Sequence, residues 1–312
     1  MQIITSDSSH QANKGFLATV GVFDGVHKGH VYLISQLLKN ARRLDLSPLI
    51  ITFNELPENV LAGEIKQFQL LSVSEKLEKL ERAGAENCLL LDFTLELSQL
   101  SSREFMSLMN NQFGVKGFYA GYNHNFGNKK SSNETLEDAA NSLGLQLVRG
   151  EEFSDVTGNR RFSSTTIRNS LLNNNIKEAT SLLGYHYEIA GTVIHGQQRG
   201  RTIGFPTANI MPDSHLKLIP KNGVYACRAF INDFISPAMV NIGYNPTAGL
   251  LEKPSIEAHI LDLPKDTDLY GTEIKVQFFD FLRKEKKFPN FEELREQILR
   301  DRQMTLEIMS QP

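Results

Sequence analysis

Cysteine is scarce in this chain, and so are long apolar runs and excess charge of either sign. Only two cysteines occur among 312 residues. Cys88 and Cys227 each lie in an apolar, strand-like segment, so both are predicted to be buried small side chains rather than disulfide partners or metal ligands. No run approaches the roughly 18 apolar residues of a membrane span. The net charge of −3 argues against a dedicated nucleic-acid binder or a membrane-surface protein.

The first residues lack the basic and then apolar layout of a signal peptide. We therefore expect a soluble, cytoplasmic protein. The hydrophobic content of 40% allows more than one core. Because domains usually have about 100 to 200 residues, this length predicts two of them.

In the first half of the chain, apolar strand-like runs alternate with helical patterns. This alternation predicts an α/β domain, a parallel sheet with helices on both faces. The predicted strands are 16–20, 49–53, 87–93, 117–120 and 146–148, and the predicted helices are about 29–44, 74–83, 102–109, 133–143, 164–172 and 175–183. Gly184 is a natural helix stop, so the first domain is predicted to span residues 1–183.

After Gly184, strand-like segments follow one another without helices between them. Such a pattern predicts an antiparallel β-barrel. The predicted strands are 187–194, 223–230, 238–242, 255–261 and 273–282. From Asn290 onward, apolar residues recur at helical spacing, so a C-terminal helix is expected to close the second domain, residues 184–312.

The turn after the first predicted strand carries the strongest chemical signal. It reads GVFDGVHKGH from Gly21 to His30, with two glycines and two histidines three residues apart at a helix start. A helix N-terminus offers free N–H groups and partial positive charge, which suits a phosphate. Two imidazoles added there predict nucleotidyl-transfer chemistry. The alternatives are a His-x-x-His metal pair, which has no nearby cysteine or carboxylate partner, and an ordinary glycine turn.

A second group of polar residues lies in the barrel half. Thr207 and Asn209, within GFPTAN, offer neutral oxygens that suit Mg²⁺ bound partly through nucleotide phosphates. Glu257 lies among apolar residues of a predicted strand, and a carboxylate there could deprotonate a substrate hydroxyl in a small-molecule kinase. Its alternative interpretation is an outward-facing strand residue.

In both of these groups of residues, and over nearly its full length, the chain resembles the bacterial bifunctional riboflavin kinase/FAD synthetase family. Residues 21–30 resemble the first adenylyltransferase motif of that family. SSTTIR from Ser163 and GYNHNFG from Gly121 resemble two more of its motifs, and GFPTAN from Gly204 is similar to the kinase signature. Similar kinase blocks are NIG at Asn241, EAH at Glu257 and LYG at Leu269.

The resemblance implies a Rossmann-like nucleotidyltransferase domain and a barrel of the riboflavin kinase fold. It implies that riboflavin is phosphorylated to FMN and that FMN is adenylylated to FAD, both with ATP and Mg²⁺. The implied catalytic residues are Glu257 as the base and His27 and His30 at the α-phosphate. The implied nucleotide-binding residues are Gly21, Phe23, Asp24, Gly25, Asn123, Ser164, Thr165, Arg168, Gly196, Gly200, Thr207 and Asn209; the flavin-binding residues are Phe126, Gly204, Phe205 and Glu257; Thr207 and Asn209 would hold the metal.

One segment departs from the family. After Phe53 the family usually carries Pro-His-Pro-Arg, whereas here Leu56 takes the histidine position and Glu58 the basic one. An aliphatic side chain cannot donate a hydrogen bond, and a carboxylate repels phosphate. Two alternatives to the bifunctional enzyme therefore remain, a riboflavin kinase with a degenerate adenylyltransferase domain and a non-catalytic flavin-binding regulator.

Overall fold

Six parallel strands form the sheet of the first half of the chain. The computed structural model describes residues 1–5, 14–122, 126–128, 134–151, 162–196, 204–244, 254–264 and 267–310. The strands are β1 (Gln2–Thr5), β2 (Phe16–Val20), β3 (Ser47–Phe53), β4 (Asn87–Leu91), β5 (Val115–Ala120) and β6 (Gln146–Arg149), and their order in the sheet is β1-β4-β3-β2-β5-β6. All five residues of the central β2 are buried, as is usual in a parallel sheet covered on both faces.

Helices pack on both faces of this sheet. They are α1 (Lys28–Arg43), α2 (Pro57–Ala62), α3 (Val73–Arg82), α4 (Leu95–Gln99), α5 (Ser102–Phe113) and α6 (Leu136–Ser142). Apolar residues of α1 and α3 form one core with one face of the strands, and those of α5 and α6 form another core with the opposite face. The N-termini of α3, α5 and α6 each have a capping box, which explains where these helices begin.

The second half forms a closed antiparallel barrel. Its strands are β7 (Glu188–Ile194), β8 (Ala208–Pro212), β9 (Gly223–Ile231), β10 (Phe234–Tyr244), β11 (Pro254–Ile260) and β12 (Glu273–Arg283), in the order β10-β11-β8-β7-β12-β9. Its helices are α7 (Ser164–Leu172), α8 (Ile176–Leu183) and α9 (Phe291–Ser310). Arg283 and the buried Asp301 form an ion pair that fastens α9 to β12. The predicted fold class is confirmed in both halves.

Four short elements are absent from the sequence-based prediction. The edge strand β1 and the helices α2 and α4 have four to six residues each, too few for a clear periodicity. The sequence of β8, ANIMP, contains a polar residue and a proline, and by itself it favours a ligand-binding loop. It becomes a strand because both β7 and β11 pair with it.

The chain divides into two compact units, Met1–Phe162 and Ser163–Pro312. In this division α7 and α8 group with the barrel, because α8 packs on β12 and the Tyr225 hydroxyl donates to Asn174 Oδ1 at 2.8 Å. Structural compactness does not test where the functional domains meet, so the boundary at residue 184 stays a prediction. In the described part of the chain, no helix is long and apolar enough to cross a membrane.

Candidate active sites

The turn between β2 and α1 has a strained backbone. Phe23 and Val26 have positive φ angles of 51° and 33°, and Gly25 lies between them at 83°. Side chains other than glycine rarely adopt this region, at a cost of about 1–3 kcal/mol each, and they persist there only where the surroundings hold them. Such strain often marks functional sites, so the turn is the first candidate site.

Side chains from neighbouring segments hold the turn in place. The carboxylate of Asp24 is buried and accepts hydrogen bonds from the backbone N–H groups of Leu70 and Leu71, at 2.9 and 3.2 Å from Oδ1. Thr52 at the end of β3 donates its hydroxyl to the Val22 carbonyl at 3.0 Å. Asp24, predicted from the sequence to bind nucleotide, therefore anchors the turn to the segment before α3.

His27 caps the N-terminus of α1 with its ring. Its Nδ1 accepts the backbone N–H of His30 at 3.3 Å, so the proton of a neutral ring lies on Nε2. Burial lowers the pKa of His27 to about 4, so the ring is neutral at pH 7. A neutral imidazole with Nε2–H is a hydrogen-bond donor for a phosphate oxygen.

The two histidine rings are stacked. Their centroids are 3.7 Å apart and their planes 14° from parallel, and the Phe23 ring lies tilted against His30 at 5.1 Å. Gly29 permits this packing, because a Cβ there would lie 3.1 Å from Cε1 of His27. The sequence spacing thus brings both imidazoles to one place, as predicted.

Phe126, predicted to bind flavin, packs mainly against other aromatic rings. It is half-buried, and its ring centroid lies 5.6 Å from Phe105 and 5.2 Å from Phe118. Its carbonyl accepts the Ser102 hydroxyl at 2.8 Å. Asn123 lies outside the described residues.

The segment that departs from the family forms α2. Leu56 is buried, 3% exposed, at the N-cap of this helix, whereas Glu58 in its first turn is exposed. The buried Asn59 fixes the following loop, since its Oδ1 accepts the N–H groups of Lys66 and Gln67. Leu56 therefore contributes packing at the carboxyl edge of β3.

Ser164, Thr165 and Arg168 lie on α7 in the second compact unit. The hydroxyl of Ser163 caps this helix by accepting the N–H of Thr166 at 3.2 Å. Arg168 is 8% exposed.

In the barrel, Thr207, Asn209 and Glu257 come together. Glu257 in β11 lies directly opposite Asn209 of β8 and Asn241 of β10. The Thr207 hydroxyl donates to Oε2 of Glu257 at 3.4 Å. Since Ile256 and Ala258 are buried and Glu257 is partly exposed, the carboxylate is on the strand face opposite the core. It faces outward, as the alternative interpretation expected, and it also has the polar neighbours that the functional interpretation required.

Gly196 lies against the Asn209 amide. A Cβ at residue 196 would overlap Nδ2 and Cγ of Asn209, so only glycine fits without moving that side chain. Gly200, which the family resemblance also assigns to nucleotide binding, lies outside the described residues. Gly204 has a φ of 81°, and the Phe205 ring contacts His259 edge-on at 5.3 Å.

A cavity of about 730 Å³ opens beside Thr207. This volume lies within the range of small-molecule sites. Its lining includes Gly204, Thr207, His259, Asp268, Tyr270 and Arg302. The His195 ring stacks on Tyr270 at 3.7 Å, and Nδ1 of His259 lies 2.8 Å from the Pro206 carbonyl oxygen. Arg302 of α9 pairs with Asp262 at 3.6 Å.

Known proteins show similarity to both halves. The family model described as FAD synthetase matches residues 9–166, and the model described as riboflavin kinase matches residues 183–309. The chain is 36% identical to the bifunctional riboflavin kinase/FMN adenylyltransferase of Listeria monocytogenes, covering 97% of this chain and 94% of that protein. The chain belongs to this bifunctional family. The Bacillus subtilis member is 33% identical over 93% of this chain and 92% of that one.

A solved structure shows the same architecture. It is described as a macrolide-efflux protein from Streptococcus pneumoniae, with a TM-score of 0.85 and 32% identity, covering 98% of this chain and 99% of that one. The residues 9–166 that match FAD synthetase include the His27 turn, and the residues 183–309 that match riboflavin kinase include Glu257 and the cavity.

Several residues that line the cavity of the riboflavin kinase domain are not among the site residues predicted from the sequence. His259 and Tyr270 lie within the EAH and LYG motifs, so the family resemblance could have pointed to them. Arg302 had no such signal, because only the packing of α9 on the barrel brings it to the cavity. Among the described residues, no group of three or more His, Cys, Asp or Glu side chains could hold a metal.

Oxygen atoms that could bind a divalent cation lie close together in the barrel. The Thr207 hydroxyl lies beside the Glu257 carboxylate, and Asn209 is opposite Glu257 in the strand pairing. Hydroxyl, carboxylate and amide oxygens are the ligands that Mg²⁺ prefers, usually with substrate phosphates completing the shell. This donor set fits Mg²⁺ better than it fits Zn²⁺, which favours sulfur and nitrogen ligands.

Proposed function

We propose that this chain makes FMN in its riboflavin kinase domain and FAD in its FAD synthetase domain, with ATP as the co-substrate of both reactions. The contact between Thr207 and Glu257 carries the first half, because it pairs a carboxylate with a hydroxyl beside a cavity of suitable size. The neutral, Nε2-protonated His27 stacked on His30 carries the second. Membership of the bifunctional family supports both.

In the kinase reaction, Glu257 accepts the proton of the ribityl 5′-hydroxyl of riboflavin. The oxygen then bonds to the γ-phosphorus of ATP, and the bond to the β-phosphate oxygen breaks to release ADP. Thr207 and Asn209 would hold Mg²⁺, which neutralises phosphate charge when bound. The hydrogen bond from the Thr207 hydroxyl holds the Glu257 carboxylate beside Thr207.

The cavity beside Thr207 is the proposed nucleotide site of the kinase. The rings of His259 and Tyr270 in its lining suit stacking on an adenine. Arg302, which is paired with Asp262, also lines the cavity. Gly196 and Gly200 would let backbone approach the phosphates. Gly204, Phe205 and Glu257 would contact the flavin.

In the adenylylation reaction, a phosphate oxygen of FMN attacks the α-phosphorus of ATP and pyrophosphate leaves. Donors aimed at the developing negative charge supply most of the catalysis in such a step. His27 and His30 would donate to the α-phosphate, while Gly21, Phe23 and Gly25 would offer backbone to the nucleotide, with Asp24 acting through the turn it anchors. The remaining residues of the proposal are Asn123 and Thr165 at the nucleotide, Ser164 and Arg168 at the leaving pyrophosphate, and Phe126 at the flavin.

The proposal also includes that the protein binds small molecules and no nucleic acid, and that it works in the cytoplasm as a monomer or weak homo-oligomer.

The main alternative is a riboflavin kinase with an inactive FAD synthetase domain, which the buried Leu56 and exposed Glu58 favour. The purified protein should be incubated with riboflavin, ATP and Mg²⁺, and the flavins separated chromatographically. FAD among the products supports the proposal. FMN alone, even when FMN is added as substrate, would identify the kinase-only protein.

A further inference from the structure

A buried lysine lies beneath the phosphate-binding turn. Lys76 of α3 is 6% exposed, and its Nζ donates to the carbonyl of Phe53 and, at 3.4 Å, to that of Val22. Lysine is almost never so buried without partners, because removing an ammonium from water is costly. Neither proposed reaction uses Lys76 directly, so its burial needs another explanation.

The two carbonyls lie at or just beyond the carboxyl ends of two neighbouring parallel strands, at the edge that carries the site. Phe53 ends β3, and Val22 lies two residues beyond the end of β2. The Val22 carbonyl also accepts the Thr52 hydroxyl. Because a trans peptide directs its C=O and N–H in opposite directions, fixing the Val22 carbonyl toward Lys76 directs the Phe23 N–H away from it. Phe23 is the first residue of the strained turn.

The charges around Lys76 are consistent with an ammonium at neutral pH. Burial lowers the pKa of Lys76 to about 8, and the Asp24 carboxylate opposes that change. Cys88 of β4 also faces it, with a thiol pKa raised by burial to about 12. The turn is therefore held from one side by the Asp24 bonds to Leu70 and Leu71 and from beneath by Lys76.

We propose that Lys76 is a positioning residue of the adenylyltransferase site. It fixes the Val22 carbonyl, and thereby holds the Phe23 N–H and the His27 ring where the nucleotide phosphate binds. Its Nζ is engaged by backbone carbonyls beneath the turn, so it acts through the turn rather than on the phosphate. This role rests on the proposed synthesis of FAD.

Three variants of the full chain test the role. Lys76→Met keeps the length of the side chain but cannot donate, Lys76→Arg keeps the donors and the charge, and Lys39→Met changes an exposed lysine of α1. For Lys76→Met we expect kcat for FAD formation from FMN to fall about 10- to 100-fold, since small misplacements of reacting groups have effects of that size. FMN formation from riboflavin should not change. Lys76→Arg should recover most of the loss, and Lys39→Met should match the wild type.

Hydrogen exchange supplies a readout independent of turnover. In Lys76→Met, the peptide spanning residues 21–30 should exchange faster than in the wild type, while peptides of the barrel strands should not change. Equal exchange of that peptide in all four proteins would overturn the role of Lys76, as would undiminished FAD formation by Lys76→Met. If the wild type makes no FAD, the proposed adenylylation fails, and the exchange comparison alone decides whether Lys76 holds the turn.

Discussion

The rings of His27 and His30 lie face to face, with centroids 3.7 Å apart, while Nδ1 of His27 accepts the backbone N–H of His30. His27 therefore caps the helix with its ring and also packs against the ring of His30. Because the cap uses Nδ1, the remaining donor of His27 is Nε2–H, and the ring needs no positive charge to serve as a donor.

Replacing His30 by alanine should separate the two activities. We expect His30→Ala to lower FAD formation by about 10² to 10³, the usual loss when one donor to a developing charge is removed. FMN formation by the same protein should be retained. The exposed His215, changed to alanine, is the matched control. Equal loss of both products in His30→Ala would refute the assignment of two separate sites.

Removing the carboxylate of Glu257 should produce the opposite pattern of effects. Glu257→Gln keeps the size of the side chain but cannot accept the hydroxyl proton, so FMN formation should fall by about 10² to 10⁴. FAD formation from supplied FMN should persist. Glu273→Gln, at an exposed glutamate that begins β12, should behave as the wild type. Full kinase activity in Glu257→Gln would exclude Glu257 as the base.

A methyl group at residue 196 should displace the amide of Asn209. The added Cβ of Gly196→Ala would overlap the end of that side chain, which can swing away at little cost in stability. We expect a 10- to 100-fold loss in kcat/KM for FMN formation with ATP, on the order of the usual cost of misplacing a binding group, with little change in the melting temperature and normal FAD formation from FMN. If kinase kinetics are unaltered, Asn209 does not contribute to the nucleotide or metal site.

Charge reversal at Glu58 should help the FAD synthetase domain. Glu58 is exposed in the first turn of α2, just beyond β3. If the triphosphate binds at this edge as proposed, a carboxylate there would oppose its binding. Glu58→Arg is expected to raise kcat/KM for FAD formation about fivefold, corresponding to about 1 kcal/mol. Glu55→Arg, three residues away and also exposed, measures the effect of net charge alone. An equal gain in both variants would leave no special role for position 58.

Acid should destabilise the FAD synthetase domain through His27. The pKa of this ring falls from 6.5 in the unfolded chain to about 4 in the folded one, so the unfolded chain binds more protons between these values. The free energy of unfolding is therefore lowered as pH falls from 6.5 to 4, by about 3 kcal/mol in all. NMR titration of His27 should give a midpoint near pH 4, and His27→Asn, which can still cap α1, should lose less stability in urea over that interval. A midpoint near 6.5 would contradict the buried, neutral ring.

Both architectures could be predicted from the order of the amino acids, and so could the closeness of the residues within each candidate site. Hydrophobic periodicity distinguished the parallel sheet from the barrel, since helices separate the strands of one and not of the other. The spacing of His27 and His30 placed them in one helical turn, because such a relationship is local. The family motifs brought Thr207, Asn209 and Glu257 into one hypothesis before any strand pairing was known.

Relationships between residues far apart in the chain emerged only from the folded molecule. Periodicity does not show that Lys76 lies beneath a turn about 50 residues earlier in the chain, or that Asp24 binds the backbone at Leu70, since both depend on how α3 packs on the sheet. Arg302 reaches the cavity only because α9 packs on the barrel. Local spacing fixes which residues share a turn, whereas burial and long-range hydrogen bonding fix the protonation and orientation on which the chemistry depends.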